Sequence, residues 1–326
     1  MWFLDTRTAE LHLFESPESV PGGYAVLSHV WDKEQEQTFQ EIRGLQTKND
    51  TPTRWTTRSD SGGISHRVAH KIREFCKIAK AYGYQWAWAD TCCIDKTSSA
   101  ELSEAINSMF RYYRLSDVCF VYLRDVHPGT RSPWGFDPKQ FQNSEWHTRG
   151  WALQELLAPR LVVFLAEDWS VIGTKASLTP LLQESTGIPI KVLRFEVDIA
   201  HVSVAQRMSW ASKRRTTRPE DEAYCLMGIF GINMPALYGE GDKAFYRLQE
   251  EIMKTCADTS LFAWGNHEPY TPGSSISFRP PRDDTTGRFT TAQFLFASSP
   301  RSFASCRDIV FEPEGIRGEK GVVWVS

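Results

Sequence analysis

The segment RGWALQELLAPR, from Arg149 to Arg160, sets one acidic side chain, Glu155, inside an otherwise apolar helical turn. Trp151, Leu153, Leu156 and Leu157 give this short helix a face to bury. Pro159 stops it, because proline lacks an N–H and clashes with a continuing turn. A carboxylate in that setting is either solvated at the edge of the element or held in a cleft whose walls aim it at a substrate. A second polar cluster is the stretch Asp90 to Asp95. Its two aspartates could contact a substrate, or could cap the loop through Asx turns. Within it, Cys92 and Cys93 could act as nucleophiles if a base such as His29 lay close; the alternative is a pair of small buried hydrophobes. Ser28 and His29 read as a polar pair at a site, with a His29 that satisfies a backbone carbonyl as the plainer option. The run Lys213-Arg214-Arg215 with Arg218 reads as a solvated helix end rather than a phosphate site. Gly239-Glu240-Gly241-Asp242-Lys243 lacks P-loop spacing and no clear strand precedes it.

These residues need elements to position them. Tyr24 to Val30 is a continuous apolar run behind Pro21-Gly22-Gly23 and predicts a buried strand. A polar stretch from Thr47 to Ser65 predicts a loop. Val68, Ile72, Phe75, Ala79 and Tyr82 then keep helical spacing up to Gly83. Tyr84 to Ala89 is strand-like. Ser98 and Glu101 form a capping-box pattern ahead of a helical face made by Leu102, Ile106, Met109, Phe110 and Tyr113. Val118 to Leu123 and Leu161 to Leu165 are further strand candidates. Strand and helix thus alternate, which predicts an α/β domain over residues 1–175 with a parallel sheet flanked by helices. Ligands in such sheets bind beyond the carboxyl ends of the strands, where Ser28, His29, Asp90 and Asp125 to His127 fall.

From Lys175 the pattern predicts a mainly helical C-terminal extension over 176–265. Ser203 is placed as an N-cap, Pro219 as the first position of a helix through EDEAYCLMGIF, and Asp242 before a helix bearing Phe245, Leu248, Ile252 and Met253. Residues 266–326 predict a loop-rich tail, flexible to about Thr291. The closing GVVWVS resembles mid-strand sequence, so a truncated chain is one expectation.

Composition bounds the function. The chain of 326 residues, 41% hydrophobic and 24% charged, is that of a globular protein with a sizeable core. A net charge of −3 argues against non-specific nucleic-acid binding. Nothing approaches the roughly eighteen apolar residues of a membrane span, and no secretory leader is visible. Seven cysteines, an odd number mostly in apolar stretches and without a CxxC pair, fit free thiols in a reducing cytoplasm and give no expectation of a structural metal site.

RGWALQELLAP also resembles a signature of the fungal heterokaryon-incompatibility (HET) domain family. So do YAVLSHVW at Tyr24–Trp31, WADTCCIDKTSSAELSEAINSMF at Trp88–Phe110, and the block from Ser203 to Gly241 that ends ALYGEG. The blocks occur in the family's order and cover most of residues 1–265. HET domains look like distant relatives of TIR domains, which share a flavodoxin-like parallel sheet and include NAD-cleaving enzymes. Trp151 to Leu156 matches the WCLxEL pattern of plant-type TIR sequences, with Ala152 in the place of its cysteine.

The resemblance implies a flavodoxin/TIR-like sheet, a catalytic Glu155, and a substrate site drawn from Ser28, His29, Trp31, Asp90, Cys93, Asp95, Arg149 and Trp151. Trp31 or Trp151 would stack on the nicotinamide or adenine ring, and Arg149 would pair with a phosphate. NAD would be substrate, with no metal and no further cofactor. The same resemblance implies non-self recognition and induced cell death, self-association, and a sensor or partner protein. Two alternatives stand beside it: a non-enzymatic signalling module that acts by assembly and recruitment, and a thiol hydrolase using Cys93.

Overall fold

The computed structural model describes residues 1–32, 36–50, 63–129, 133–265, 295–311 and 323–324. They fall into two units, one made of residues 1–146 and 154–181, the other of residues 147–153 and 182–326.

The first unit is built on a seven-stranded sheet. Its strands are β1 (Trp2–Asp5), β2 (Leu11–Leu13), β3 (Tyr24–His29), β4 (Trp86–Ala89), β5 (Val118–Tyr122), β6 (Val162–Leu165) and β7 (Val171–Thr174). Every residue of β3, β4 and β6 is buried, the pattern of strands covered on both faces. These continuous apolar runs, with β5, form the parallel centre in the order β4-β3-β5-β6. Leu27 pairs with Ala89 on one side and with Phe120 on the other. The chain therefore starts in the middle, steps to one side for β4, and crosses back for β5. Sheets of this kind bind ligands beyond the carboxyl end of the strand at such a reversal, here β3.

The expectation of a wholly parallel sheet is corrected by the edges. β1, β2 and β7 all run antiparallel to their neighbours. The reason is connection length: residues 6–10 join β1 to β2 and residues 166–170 join β6 to β7, too few for the dozen or more that a parallel crossover needs. Ala9 and Trp169 take left-handed backbone conformations in these tight links, with φ of 58° and 66°. Trp169 is held there by stacking on Tyr122 at 4.3 Å.

The helices of this unit are α1 (Phe39–Asp50), α2 (His70–Ala81), α3 (Ser99–Leu115), α4 (Pro138–Asn143), α5 (Ala152–Leu157) and α6 (Thr179–Thr186), the last two shared with the second unit. α2 buries Ile72, Phe75 and Ala79 of the expected face together with Cys76, whereas Val68 precedes the helix and Tyr82 is half-exposed. α3 is capped by Ser98, whose Oγ accepts the Glu101 N–H at 3.3 Å. The Glu101 carboxylate turns instead to the Asp95 N–H at 3.0 Å, so only half of the expected box forms. Two tyrosines bolt strand and helix together: Tyr24 Oη donates to the Tyr112 carbonyl at 2.7 Å, and Tyr113 Oη to the Leu27 carbonyl at 3.1 Å. The loop expected from Thr47 begins inside α1; the rest of it, over 51–62, lies outside the described residues. So does the stretch expected to be flexible, from 266 to about Thr291.

The second unit is mostly helical: α7 (Ile190–Leu193), α8 (Val204–Ala211), α9 (Asp221–Tyr224), α10 (Met227–Phe230) and α11 (Lys243–Thr255), with a short ribbon of β8 (Ile309–Val310) and β9 (Val323–Trp324). Ser203 caps α8 as expected, its Oγ accepting the Gln206 N–H at 3.1 Å. The single helix expected after Pro219 is two short ones, α9 and α10. α11 buries Ala244, Phe245, Leu248, Gln249 and Ile252.

Residues 148–150 run beside Arg215: its N–H donates to the Thr148 carbonyl at 2.6 Å and its carbonyl accepts the Gly150 N–H at 2.8 Å. This approach needs a glycine. A Cβ on Gly150 would lie 2.5 Å from Thr216 Cγ2 and 3.1 Å from Cys225 Sγ. Gly150→Ala is therefore expected to cost about 1–3 kcal/mol through overpacking, read as a lower urea midpoint than that of the unaltered chain.

Candidate functional site

Glu155 lies on α5 among Ala152, Leu153 and Leu156, all fully buried. Its own exposure is 2%, so the carboxylate is interior rather than solvated at an edge. What it meets there is Ser28, whose Oγ donates to Glu155 Oε2. The indole of Trp146 donates to Ser28 Oγ at 2.7 Å. Trp146, Ser28 and Glu155 thus form one buried chain of hydrogen bonds in which each donor polarises the next.

Successive side chains of a strand point to opposite faces, and this separates Ser28 from His29. Ser28 meets Glu155 and Trp146, whereas His29 Nε2 lies 3.2 Å from Glu36 Oε1. They are not a pair at one site. Lys71, from α2, forms an ion pair with Glu36 and donates from Nζ to the Val30 carbonyl at 3.2 Å. Burial pushes the His29 imidazole below its ordinary range, against the opposing pull of the nearby Glu36 carboxylate. Burial would raise the Glu36 carboxyl, but the His29 hydrogen bond and the Lys71 ammonium outweigh it and hold it at about 2.

Trp31 stands at the rim, 43% exposed. Its indole Nε1 donates to both carboxylate oxygens of Asp90 at 3.1 Å, and the Lys96 ammonium sits 3.9 Å from its ring centroid. Asp95 accepts from the Thr97 N–H at 2.9 Å and the Thr97 hydroxyl at 2.6 Å within its own loop, and from Gln40 Nε2 of α1 at 2.5 Å. Cys93 Sγ accepts the Ala89 N–H at 3.4 Å and is buried. The hydrogen bond with Cys93, then burial, pushes the Cys92 thiol well up.

Arg149 and Trp151 belong to the second unit. The Arg149 carbonyl accepts Arg214 Nη1 at 3.0 Å. The Trp151 side chain hydrogen-bonds Asp221, which also accepts the Tyr238 hydroxyl at 2.9 Å. Burial raises the Asp221 carboxyl. The structure thus gathers Ser28, His29, Trp31, Asp90, Cys93, Asp95 and Glu155 in the first unit, on two faces of one sheet and at its rim.

Sequence reasoning missed Trp146, Glu36, Lys71 and Lys175. Trp146 sits in the polar stretch SEWHTR, where no periodicity marks it as interior. Lys175 follows β7, is 4% exposed, and donates from Nζ to the carbonyls of Leu156 at 3.1 Å and Pro159 at 2.6 Å. Burial lowers its ammonium to about 7. His66 and His70 are four residues apart, but His66 lies in the turn before α2, and no group of three or more His, Cys, Asp or Glu among the described residues could hold a metal ion.

Residues 24–134 match the heterokaryon incompatibility protein (HET) family, and residues 243–315 match a domain of unknown function (DUF8212). The chain is 42% identical over 236 residues to the vegetative incompatibility protein HET-E-1 of Podospora anserina, a stretch that is 71% of this chain and 16% of that relative. This is a HET-domain protein. The HET match takes in β3, Trp31, Asp90, Cys93 and Asp95, and ends before Trp146 and Glu155. The chain spans only about a sixth of the length of that relative. No solved structure matches the HET-domain chain significantly. Among its described residues, no helix is long and apolar enough to cross a membrane.

The Glu36 cluster has a pH signature. Its carboxyl is lower in the folded chain, about 2, than its ordinary 4.5, so its contribution to stability is full above pH 4.5 and is lost as pH falls through 2. Glu36→Gln is expected to flatten the fall in urea midpoint over that window, measured against the unaltered chain from neutral to acid pH.

Proposed function

We propose that this HET domain is TIR-like and hydrolyses NAD to nicotinamide and ADP-ribose, with Glu155 as the working carboxylate. In this reading it acts as a non-self-recognition effector of cell death. The observation that carries the reading is the buried chain Trp146–Ser28–Glu155 at the carboxyl end of β3. The central strand order, second-first-third-fourth, supports it, since flavodoxin-like sheets use that order and bind ligands at its reversal. The name of the relative, a vegetative incompatibility protein, supports the biological role.

The chemistry suits a carboxylate. Breaking the bond between ribose and nicotinamide leaves the bonding electrons with the nicotinamide nitrogen and positive charge on the ribose, as in glycoside hydrolysis. A carboxylate stabilises that charge. Water then adds to the ribose carbon and releases one proton. Trp31 offers a half-exposed ring face for an aromatic base, its indole fixed by Asp90.

Glu155 at 2% exposure cannot meet substrate without local opening. Self-association, or binding of a sensor protein, supplies that opening in our reading, and an isolated chain is silent. The same burial favours a second reading, in which Glu155 is structural and the domain works by assembly and recruitment without chemistry.

The deciding experiment measures nicotinamide release from NAD by purified chain over a range of concentrations, with and without a crowding agent. Release is expected to rise more than linearly with protein concentration and to fall by about 10²–10⁴-fold in Glu155→Gln. Equal release by a folded Glu155→Gln protein would remove Glu155 from the reaction, and no release from assembled unaltered chain would favour the recruitment module.

A further inference from the structure

We infer that Asp125 is a positioning residue for Glu155: its carboxylate fixes the turn that carries Trp146, and Trp146 orients the Ser28 hydroxyl toward Glu155. The inference rests on the reading of Glu155 as the working carboxylate. Trp146 is the second residue of a 3₁₀ turn, Glu145–Thr148, that begins one residue after α4. Four residues have no stability of their own, and the first N–H groups of such a turn find no partner inside it. Its place must be imposed from outside.

Asp125 supplies the missing acceptor. Its Oδ2 takes the Glu145 N–H at 2.7 Å, and its Oδ1 takes the Ser144 hydroxyl, also at 2.7 Å. Ser144 Oγ in turn accepts the Trp146 N–H at 3.4 Å. Both oxygens of one carboxylate thus hold consecutive residues, and a two-point grip fixes direction as well as distance. Ser144 is 1% exposed, so loss of the carboxylate would strand a buried hydroxyl.

The grip is anchored to the sheet. Asp125 follows β5, and the residues around it stay bonded to the end of β6. Leu123 N–H donates to the Leu165 carbonyl at 3.0 Å, and the Val126 carbonyl accepts the Glu167 N–H at 3.0 Å. The Trp146 ring packs edge-on against Phe164 of β6 at 5.7 Å. Backbone and ring are therefore both referred to the sheet, and the indole Nε1 arrives 2.7 Å from Ser28 Oγ. From Asp125 to Glu155, each step is a hydrogen bond or the turn itself. Arg124 also donates to Glu145, at 2.7 Å, but those side chains are 41% and 51% exposed and screened by water, which makes theirs the weaker clasp.

The test reads the bond at Ser28 directly. In the whole chain labelled with ¹⁵N-tryptophan, hydrogen exchange of the Trp146 indole proton reports how often that bond opens. Trp88 of β4, also fully buried, is the internal control. Trp146→Phe and Trp88→Phe assign the two resonances, and Ser28→Ala gives the signature of the broken bond. Asp125→Ala is expected to speed exchange at Trp146 by about tenfold or more, since hydrogen bonds to a charged group are the stronger kind, and to leave Trp88 within about twofold. Exchange unchanged at Trp146, or faster at both indoles alike, overturns the inference.

Should Asp125→Ala fail to fold, Ser144→Ala decides on the same two indoles by the same criteria. Where nicotinamide is released, Asp125→Ala is expected to lower kcat with KM little changed, and a rise in KM alone overturns the inference. If Trp146 responds while no chain ever releases nicotinamide, the positioning role stands and the NAD reading falls.

Discussion

A carboxylate taken out of water must find donors already fixed in place, or it costs more than a domain of this size can spare. Glu155 meets that demand with a hydroxyl from β3, and the hydroxyl is itself oriented by the Trp146 indole. The register of the sheet follows from it. A slip of one residue in β3 would present Leu27 or His29 where Ser28 stands, because side chains alternate between faces. The Tyr24 and Tyr113 hydroxyls, bonded to the Tyr112 and Leu27 carbonyls, hold the strand against such a slip. The same alternation sends His29 to the opposite face, where a different solution holds a second, partly buried carboxylate. Glu36 lies there between the His29 imidazole and the Lys71 ammonium. One strand end thus serves two polar clusters that share no residue.

The parts of this fold legible in the sequence are those whose signal is local. β3, β4, β5 and β6 announce themselves as apolar runs, and α2 and α3 by their spacing, because covering both faces of a strand or one face of a helix constrains neighbouring residues together. β1, β2 and β7 were not legible. They are short edge strands with weak alternation, and their direction is set by the length of the link that returns the chain. The site is only half legible for a related reason. Glu155 could be singled out as an acid in an apolar turn, but Ser28 lies 127 residues away in sequence and Trp146 is 118 residues from Ser28. Nothing local to Lys175 distinguishes it from a surface lysine. Partners of buried polar groups are chosen by tertiary proximity, which leaves no periodic trace.

Two stretches of the second unit that carry suggestive residues are explained by internal contacts. In the glycine loop before α11, Glu220 Oε1 accepts the N–H groups of Gly239 at 2.7 Å and Gly241 at 3.1 Å. A carboxylate of the chain itself therefore occupies the donors that an exposed loop would offer to an anion. Glu240 in turn accepts from Tyr224 Oη at 2.9 Å and from Arg247 at 2.6 Å, and Leu237 N–H donates to Tyr224 Oη at 2.7 Å. Arg218 lies over the Tyr238 ring at 4.3 Å. Charge and glycine here are spent on lacing α9 to the loop, which is why neither reads as a phosphate site once the contacts are seen.

The departure from the TIR pattern at Ala152 bears on the proposed reaction in a limited way. Ala152 is fully buried, at the start of the helix that bears Glu155. A cysteine there would add one sulfur atom to a packed interior, where a thiol behaves as a small hydrophobe. It would not contribute a charge or a strong donor to the carboxylate one turn later. The chemistry proposed for Glu155 depends instead on groups that hydrogen-bond it or set its field, and on the opening that lets a ribose approach. A short helix is suited to that opening: six residues held by side chains and carbonyl contacts can shift as a piece, whereas the sheet beneath cannot yield without breaking its ladder. Burial in the single chain and action in an assembly are therefore compatible properties of the same carboxylate, provided the force that moves α5 comes from a partner surface.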